Sequence, residues 1–211
     1  MAIIVPKFNS WANKYCPNKL LISDAVNKAY APSVVRALYK NGKLTGFGGN
    51  TTGKTQARND ATDIIVRYLQ YVDNYNLLPY SVTDLWDKVR DVYHNNDITW
   101  YTYGNAQKWV GMAIKYYLVN KYRNNPNALC NDVLADVVFP IDRIMINKIQ
   151  SGKVVAGTGS NISISVNNPP PSSWSQCTCK QTFIDYIDAV KNELIKSPTQ
   201  DKLIEFEINN W

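Results

Sequence analysis

Residues 98–117 read I-T-W-Y-T-Y-G-N-A-Q-K-W-V-G-M-A-I-K-Y-Y, and residues 137–149 read V-V-F-P-I-D-R-I-M-I-N-K-I. In the first stretch an aromatic loop turns at Gly104 and feeds a helix. Ala106, Val110, Ala113, Ile114, Tyr117 and Leu118 recur at helical spacing and predict one buried face. Lys108 falls off that stripe, with Gly111, Met112 and Lys115 three, four and seven positions further on. A lysine in such a place is ordinarily solvated. Beside a glycine that permits close approach, it can instead face a ligand or a backbone phosphate. In the second stretch Pro140 suits the first turn of a helix, and Ile141, Ile144, Met145 and Ile149 predict its core stripe. Asp142 and Arg143 fall off the stripe, in the first turn. Free amides and the helix dipole stabilise a carboxylate there, so Asp142 is poised as an anion rather than as an acid. By itself that describes a helix-start charge as well as a catalyst.

Together the segments resemble the helix–hairpin–helix DNA glycosylase superfamily. That superfamily carries a hairpin glycine, a lysine in the first turn of the following helix, and downstream a V-D-x-x-x-x-R-like segment with an essential aspartate. Here G-N-A-Q-K-W-V matches the hairpin and lysine, and P-I-D-R-I-M matches the aspartate segment. Lys108 and Asp142 are 34 positions apart, closer to the archaeal 8-oxoguanine glycosylase branch than to the endonuclease III branch. The match covers about a quarter of the chain. The chain departs from the pattern in two places: G-N-A-Q stands where a second hairpin glycine is usual, and Arg143 directly follows the aspartate.

The 211 residues, 45% of them hydrophobic, suit one domain with a substantial core. A formal charge of +6 favours an acidic partner, nucleic acid first. No run approaches the ~20 apolar residues that cross a bilayer. M-A-I-I-V-P-K is too short and too early broken by Pro6 to read as a signal peptide. The expectation is a soluble, cytoplasmic, monomeric protein whose Cys16, Cys130, Cys177 and Cys179 are reduced thiols. Their spacing gives no cluster loop, and C-T-C with the single His94 makes no zinc site, so no metal or cofactor is implied.

Along the chain, the first forty residues read as short helices. One is started by Pro32, carries Val34, Val35 and Leu38, and ends at Gly42. A glycine-rich loop, 42–55, precedes a long helix with the stripe Ala61, Ile64, Ile65, Tyr68, Leu69 and Val72. Ser81 and Asp84 open a helix through Leu85, Val89, Val92 and Tyr93 in capping-box fashion. After the 98–123 hairpin–helix unit and the 137–150 aspartate segment comes an insertion at 151–180. In it K-V-V-A and I-S-I-S-V flank G-T-G-S-N as a β-hairpin, and Pro169 to Pro171 stiffen a linker. The last helices centre on Phe183, Ile187, Val190 and Leu194 and end in L-I-E-F-E-I-N-N-W. The fold class expected is mainly α: one helical domain over 1–211 of the helix–hairpin–helix glycosylase type, with a small β-hairpin insertion.

One motif competes. Gly48 to Thr55, G-G-N-T-T-G-K-T, matches the phosphate-binding pattern G-x-x-x-x-G-K-[ST]. Its proper setting is a buried strand before, a helix after and parallel strands elsewhere. L-T-G-F is a short strand at best, and V-V-F-P-I-D is interrupted by Pro140. The alternatives are a phosphate-loop nucleotide enzyme, a loop that holds a DNA phosphate through its amides and Lys54, or plain flexible chain.

The resemblance implies double-stranded DNA with a damaged or modified base as substrate. Gly104 and Asn105 would dock phosphate at the helix start, with Gln107, Lys115, Arg143 and Lys54 as further DNA contacts. The target nucleotide leaves the stack for a pocket, whose expected walls are Trp100, Tyr101, Tyr103, Trp109, Met112 and Trp211. Core packing is the ordinary fate of several of these aromatics. Lys108 and Asp142 would be catalytic. A lysine attacks as a neutral amine, so its proton needs an acceptor. Asp142 supplies one, or stabilises the positive charge of the opening sugar. Attack by Lys108 adds strand nicking by β-elimination, whereas Asp142 directing water gives base removal alone. An oxidised purine follows from the nearest branch; an alkylated base or a bulky modified cytosine, as in phage DNA, stays open. A non-catalytic helical DNA-binding module is the remaining alternative.

Overall fold

Thr102 starts the helix around which the others assemble. Its backbone is extended, and its hydroxyl accepts the Asn105 amide at 3.2 Å, so α5 runs Tyr103–Lys121. The expected single buried face is corrected here: every residue from Gly104 to Val119 is buried. A helix hydrophobic on one stripe but buried all round must find partners for its polar side chains. Gln107, Lys108 and Lys115 each have one.

The computed structural model describes residues 3–30, 39–40, 43–44, 51–137, 139–152, 154–155, 159, 161–162, 174–197 and 200–210. Before α5 come α1 (Val5–Tyr15), α2 (Ile22–Tyr30), β1 (Tyr39–Lys40), β2 (Lys43–Leu44), α3 (Thr51–Tyr75) and α4 (Val82–His94). After it come α6 (Arg143–Gln150), β3 (Val154–Val155), β4 (Asn161–Ile162), α7 (Lys180–Lys196) and α8 (Leu203–Asn210), with short 3-10 turns at Pro126–Asn131, Val133–Asp136 and Trp174–Gln176.

The mainly α class holds. The strands described are two antiparallel pairs, Tyr39↔Leu44 with Lys40↔Lys43, and Val154↔Ile162 with Val155↔Asn161. The second lies within the expected hairpin insertion; the first was not expected. No parallel pairing occurs among the described residues, so the setting that a phosphate-loop enzyme needs is absent from them. Among them, too, no helix is long and apolar enough to cross a membrane. The expected helix at Pro32–Leu38, the Gly42 stop, the loop from Gly48 to Asn50 and the proline linker lie outside the described residues.

Small side chains let α2 approach α5. Ala25, Val26 and Ala29 are buried, Trp109 Nε1 donates to the Val26 carbonyl at 3.0 Å, and Tyr30 meets the Trp109 ring edge-on at 4.8 Å. α3 and α4 form an antiparallel pair. Asn76, at φ 48°, follows the end of α3, and Ser81 caps α4 by accepting the Asp84 amide at 3.0 Å. Tyr93 of α4 stacks on Tyr101 at 3.8 Å, fixing the aromatic entry to α5.

α8 is the second helix buried along its whole length, from Leu203 to Asn210, glutamates included. α1 lies against it: Asn209 Oδ1 accepts the Ile4 amide at 3.0 Å. The Asn210 side chain bonds both backbone groups of Val155, tying the hairpin to the same helix.

Candidate functional site

Segment 139–142 crosses α5 closely because of three consecutive devices on that helix. The Gln107 amide donates to the Ile141 carbonyl at 2.8 Å and accepts the Ile141 amide at 3.2 Å, a two-point clamp on extended backbone. Gly111 supplies the space: a Cβ there would stand 2.9 Å from Pro140 Cα. Between them Lys108 Nζ donates to Asp142 Oδ2 at 2.7 Å. The other carboxylate oxygen, Oδ1, accepts the Met145 amide at 3.0 Å and so caps α6. The sequence expectation of Pro140, Asp142 and Arg143 within the first turn is corrected accordingly: Asp142 is the N-cap and α6 begins at Arg143. The expected stripe also shifts, since Ile144 is exposed and Ile146 is buried in its stead.

Lys108 and Asp142, far apart in sequence, are thus hydrogen-bonded partners. Their side chains keep 6% and 11% of their surface, so the pair is buried without being completely sealed. Lys115, two helical turns on, makes a second pair with Glu207 of α8 at 2.5 Å, and there both side chains are completely buried. Its ammonium also lies 4.4 Å from the centre of the Trp11 ring. Burial lowers the Lys115 pKa to about 8, against the opposing pull of Glu207, and burial raises the Glu207 pKa. Lys115 is therefore not a DNA contact, because no surface of it is reachable.

Several other expected contacts are corrected for the same reason. The Gly104 amide donates to the Cys177 carbonyl at 3.2 Å, and a Cβ at Gly104 would fall 1.8 Å from the Trp174 carbonyl oxygen. Thr102 Oγ1 donates to the Ser175 carbonyl at 2.6 Å. The turn at Trp174–Gln176 therefore covers the start of α5, and Gly104 lies inside the helix rather than in a hairpin. The Asn105 amide is taken by Thr102, so the phosphate dock expected of Gly104 and Asn105 is occupied by the chain itself. Gln107 is fully buried and holds Ile141, not DNA.

Of the expected pocket walls, Tyr101, Trp109 and Met112 are core side chains. Trp100 and Tyr103 are half-buried; the Tyr103 hydroxyl donates to Asp87 Oδ1 at 2.9 Å, and its ring carries the Arg90 guanidinium at 4.7 Å. Arg143 is exposed at the first position of α6, next to Asp142. Lys54 is half-buried within α3. Trp211 lies outside the described residues.

Sequence reasoning missed Glu207 and Glu205. Burial, together with Glu205 Oε1 accepting the Cys130 thiol at 2.5 Å, pushes that thiol's pKa up to about 12. A signal existed: two carboxylates two apart inside the apolar run L-I-E-F-E-I cannot share one exposed helix face. Among the described residues no group of His, Cys, Asp or Glu is arranged to hold a metal.

No family profile, no curated protein and no solved structure matches the chain.

Proposed function

We propose that the protein is a DNA glycosylase in which Lys108 and Asp142 are the reacting pair. The observation that carries this is their contact at 2.7 Å across 34 residues of sequence, in a pair whose side chains keep a small residue of exposed surface. The sealed Lys115–Glu207 pair cannot meet a substrate. In the proposed reaction a nucleotide leaves the DNA stack and presents its sugar carbon C1′ to the pair. Lys108 passes a proton to Asp142 and its nitrogen bonds to C1′, while the glycosidic bond breaks and its electron pair leaves with the base. The adduct nitrogen then gives up a proton to O4′ as the C1′–O4′ bond opens, and the imine left at C1′ permits β-elimination and a nick. If Asp142 instead directs water to C1′, the base departs without a nick. The candidate bases are an oxidised purine first, then an alkylated base or a modified cytosine.

One observation favours a second reading. Both oxygens of Asp142 hold the protein together, one to Lys108 and one to the α6 amide. On that reading the pair is a strut that pins α6 to α5 in a non-catalytic DNA-binding protein. Asp142→Asn separates the two, because the amide oxygen can still cap α6. With duplexes bearing each candidate base, the glycosylase reading expects excision to fall about 10²–10⁴-fold while the fold persists. A folded variant that excises at the wild-type rate, or a wild type that excises none of them, leaves the strut.

A further inference from the structure

With the start of α5 covered by the chain's own turn, DNA must be held elsewhere. A groove of about 380 Å³ runs between α1 and the α6–α8 corner, lined by Lys7, Trp11, Lys14, Tyr15, Ile144 and Lys148 among others. No carboxylate lines it among the described residues. Its floor is apolar, with Trp11 and Tyr15 rings 4.8 Å apart and Ile144 half-exposed at the rim. Ile144 stands two positions after Asp142, so the rim is the first turn of the helix that the candidate residue caps.

Two of the lysines are held in place by the fold. Lys7 Nζ donates to the Asn209 carbonyl at 2.6 Å, and Lys148 Nζ donates to the Asn210 carbonyl, both at the end of α8. An ammonium has three donors, so each keeps two for a ligand. Burial, and then the charge of Lys148, lower the Lys7 pKa, as expected where a second cation crowds a partly buried ammonium. Lys14 lies seven residues along α1 from Lys7, on the same face two turns on, with its amine 4.9 Å from the Tyr15 ring.

We infer that this groove is the track for the phosphate backbone of a DNA strand, with Lys7, Lys14 and Lys148 on phosphates and the Trp11–Tyr15 floor and Ile144 rim against deoxyribose. The inference rests on the proposed function for its ligand and supplies the contact surface that reading needs. Phosphate contacts position a duplex without reading sequence, so undamaged DNA is a sufficient probe.

The test is fluorescence anisotropy of a labelled undamaged duplex across a salt series from about 50 to 200 mM. Lys14→Gln should weaken binding several-fold at low salt and lower the slope of log affinity against log salt by about 0.9. Lys7→Gln with Lys148→Gln should lower it by about twice that, provided thermal melting shows the fold intact. Lys196→Gln on α7 removes the same charge away from the groove and should leave the slope unchanged. A slope unaltered by Lys14→Gln overturns the inference. So does a wild type that binds phosphatidylserine-containing vesicles but not duplex. Excision that survives beside an unaltered slope removes the groove alone. Groove-dependent binding by a protein that excises nothing removes the catalytic reading alone.

Discussion

Lys115→Met tests how the sealed pair beneath the candidate site is balanced. The change leaves Glu207 fully buried without its cation. Removing one partner of a buried pair costs about 3–5 kcal/mol. Glu207, whose pKa burial already raises, escapes part of that cost by taking up a proton. Adding Glu207→Leu removes the orphan as well, and an apolar pair of similar volume should recover most of the loss. A pH signature accompanies this. In the unfolded chain Lys115 keeps its proton up to about 10.5, whereas in the native state it loses it near 8. Between those values the unfolded state binds more protons, so this residue makes native stability rise with pH. At roughly 1.4 kcal/mol per pH unit the whole rise is about 3 kcal/mol. Buried tyrosines such as Tyr68 and Tyr186, with raised pKa values, oppose it above pH 10, but they are common to both proteins and cancel in the difference. Urea melts of wild type and Lys115→Met at intervals from pH 7 to 10 would read it. Parallel stability–pH curves, or a double variant no more stable than Lys115→Met, would refute the reasoning.

Gly104→Ala drives a Cβ into the Trp174 carbonyl, 1.8 Å away. It should cost at least 1–3 kcal/mol, read as a lower urea midpoint, and a wild-type midpoint would show that the covering turn is not held there. Gly111→Ala places a Cβ 2.9 Å from the Pro140 Cα, a backbone atom of a clamped segment, so it should also lower the midpoint, by less than Gly104→Ala because the overlap is smaller. Equilibrium dialysis with ATP or GTP and magnesium should show no saturable binding in the micromolar range. Such binding, abolished by Lys54→Ala, would restore the phosphate-loop reading.

Much of the helical order was legible because apolar side chains recur at helical spacing, as Ala61, Ile65, Tyr68, Leu69 and Val72 do on α3. The Ser81 cap was legible because a short hydroxyl side chain before Asp84 has a local job. What failed was the assumption that a polar residue off the stripe faces water. On α5, Gln107, Lys108 and Lys115 are buried because partners arrive from Ile141, Asp142 and Glu207, up to 92 residues away. Periodicity carries no information about such distant partners. The glycines misled similarly: Gly104 and Gly111 were read as openings toward a ligand, and each admits the chain's own backbone. The Lys108–Asp142 approach was expected only through the motif resemblance, since neither stripe alone specifies which residue meets which.

The most direct measurement of the central claim is borohydride trapping on duplexes carrying the candidate bases. If Lys108 attacks C1′, wild-type protein forms a covalent adduct, Lys108→Gln forms none, and peptide mapping locates the modified residue at Lys108. Lys108→Gln should still bind undamaged duplex with the wild-type salt slope, since a drop of about 0.9 would instead mark the loss of a phosphate contact. Wild-type excision without an adduct would move the reaction to Asp142 and water. An adduct that persists in Lys108→Gln, or excision unchanged in both Lys108→Gln and Asp142→Asn, would contradict the account.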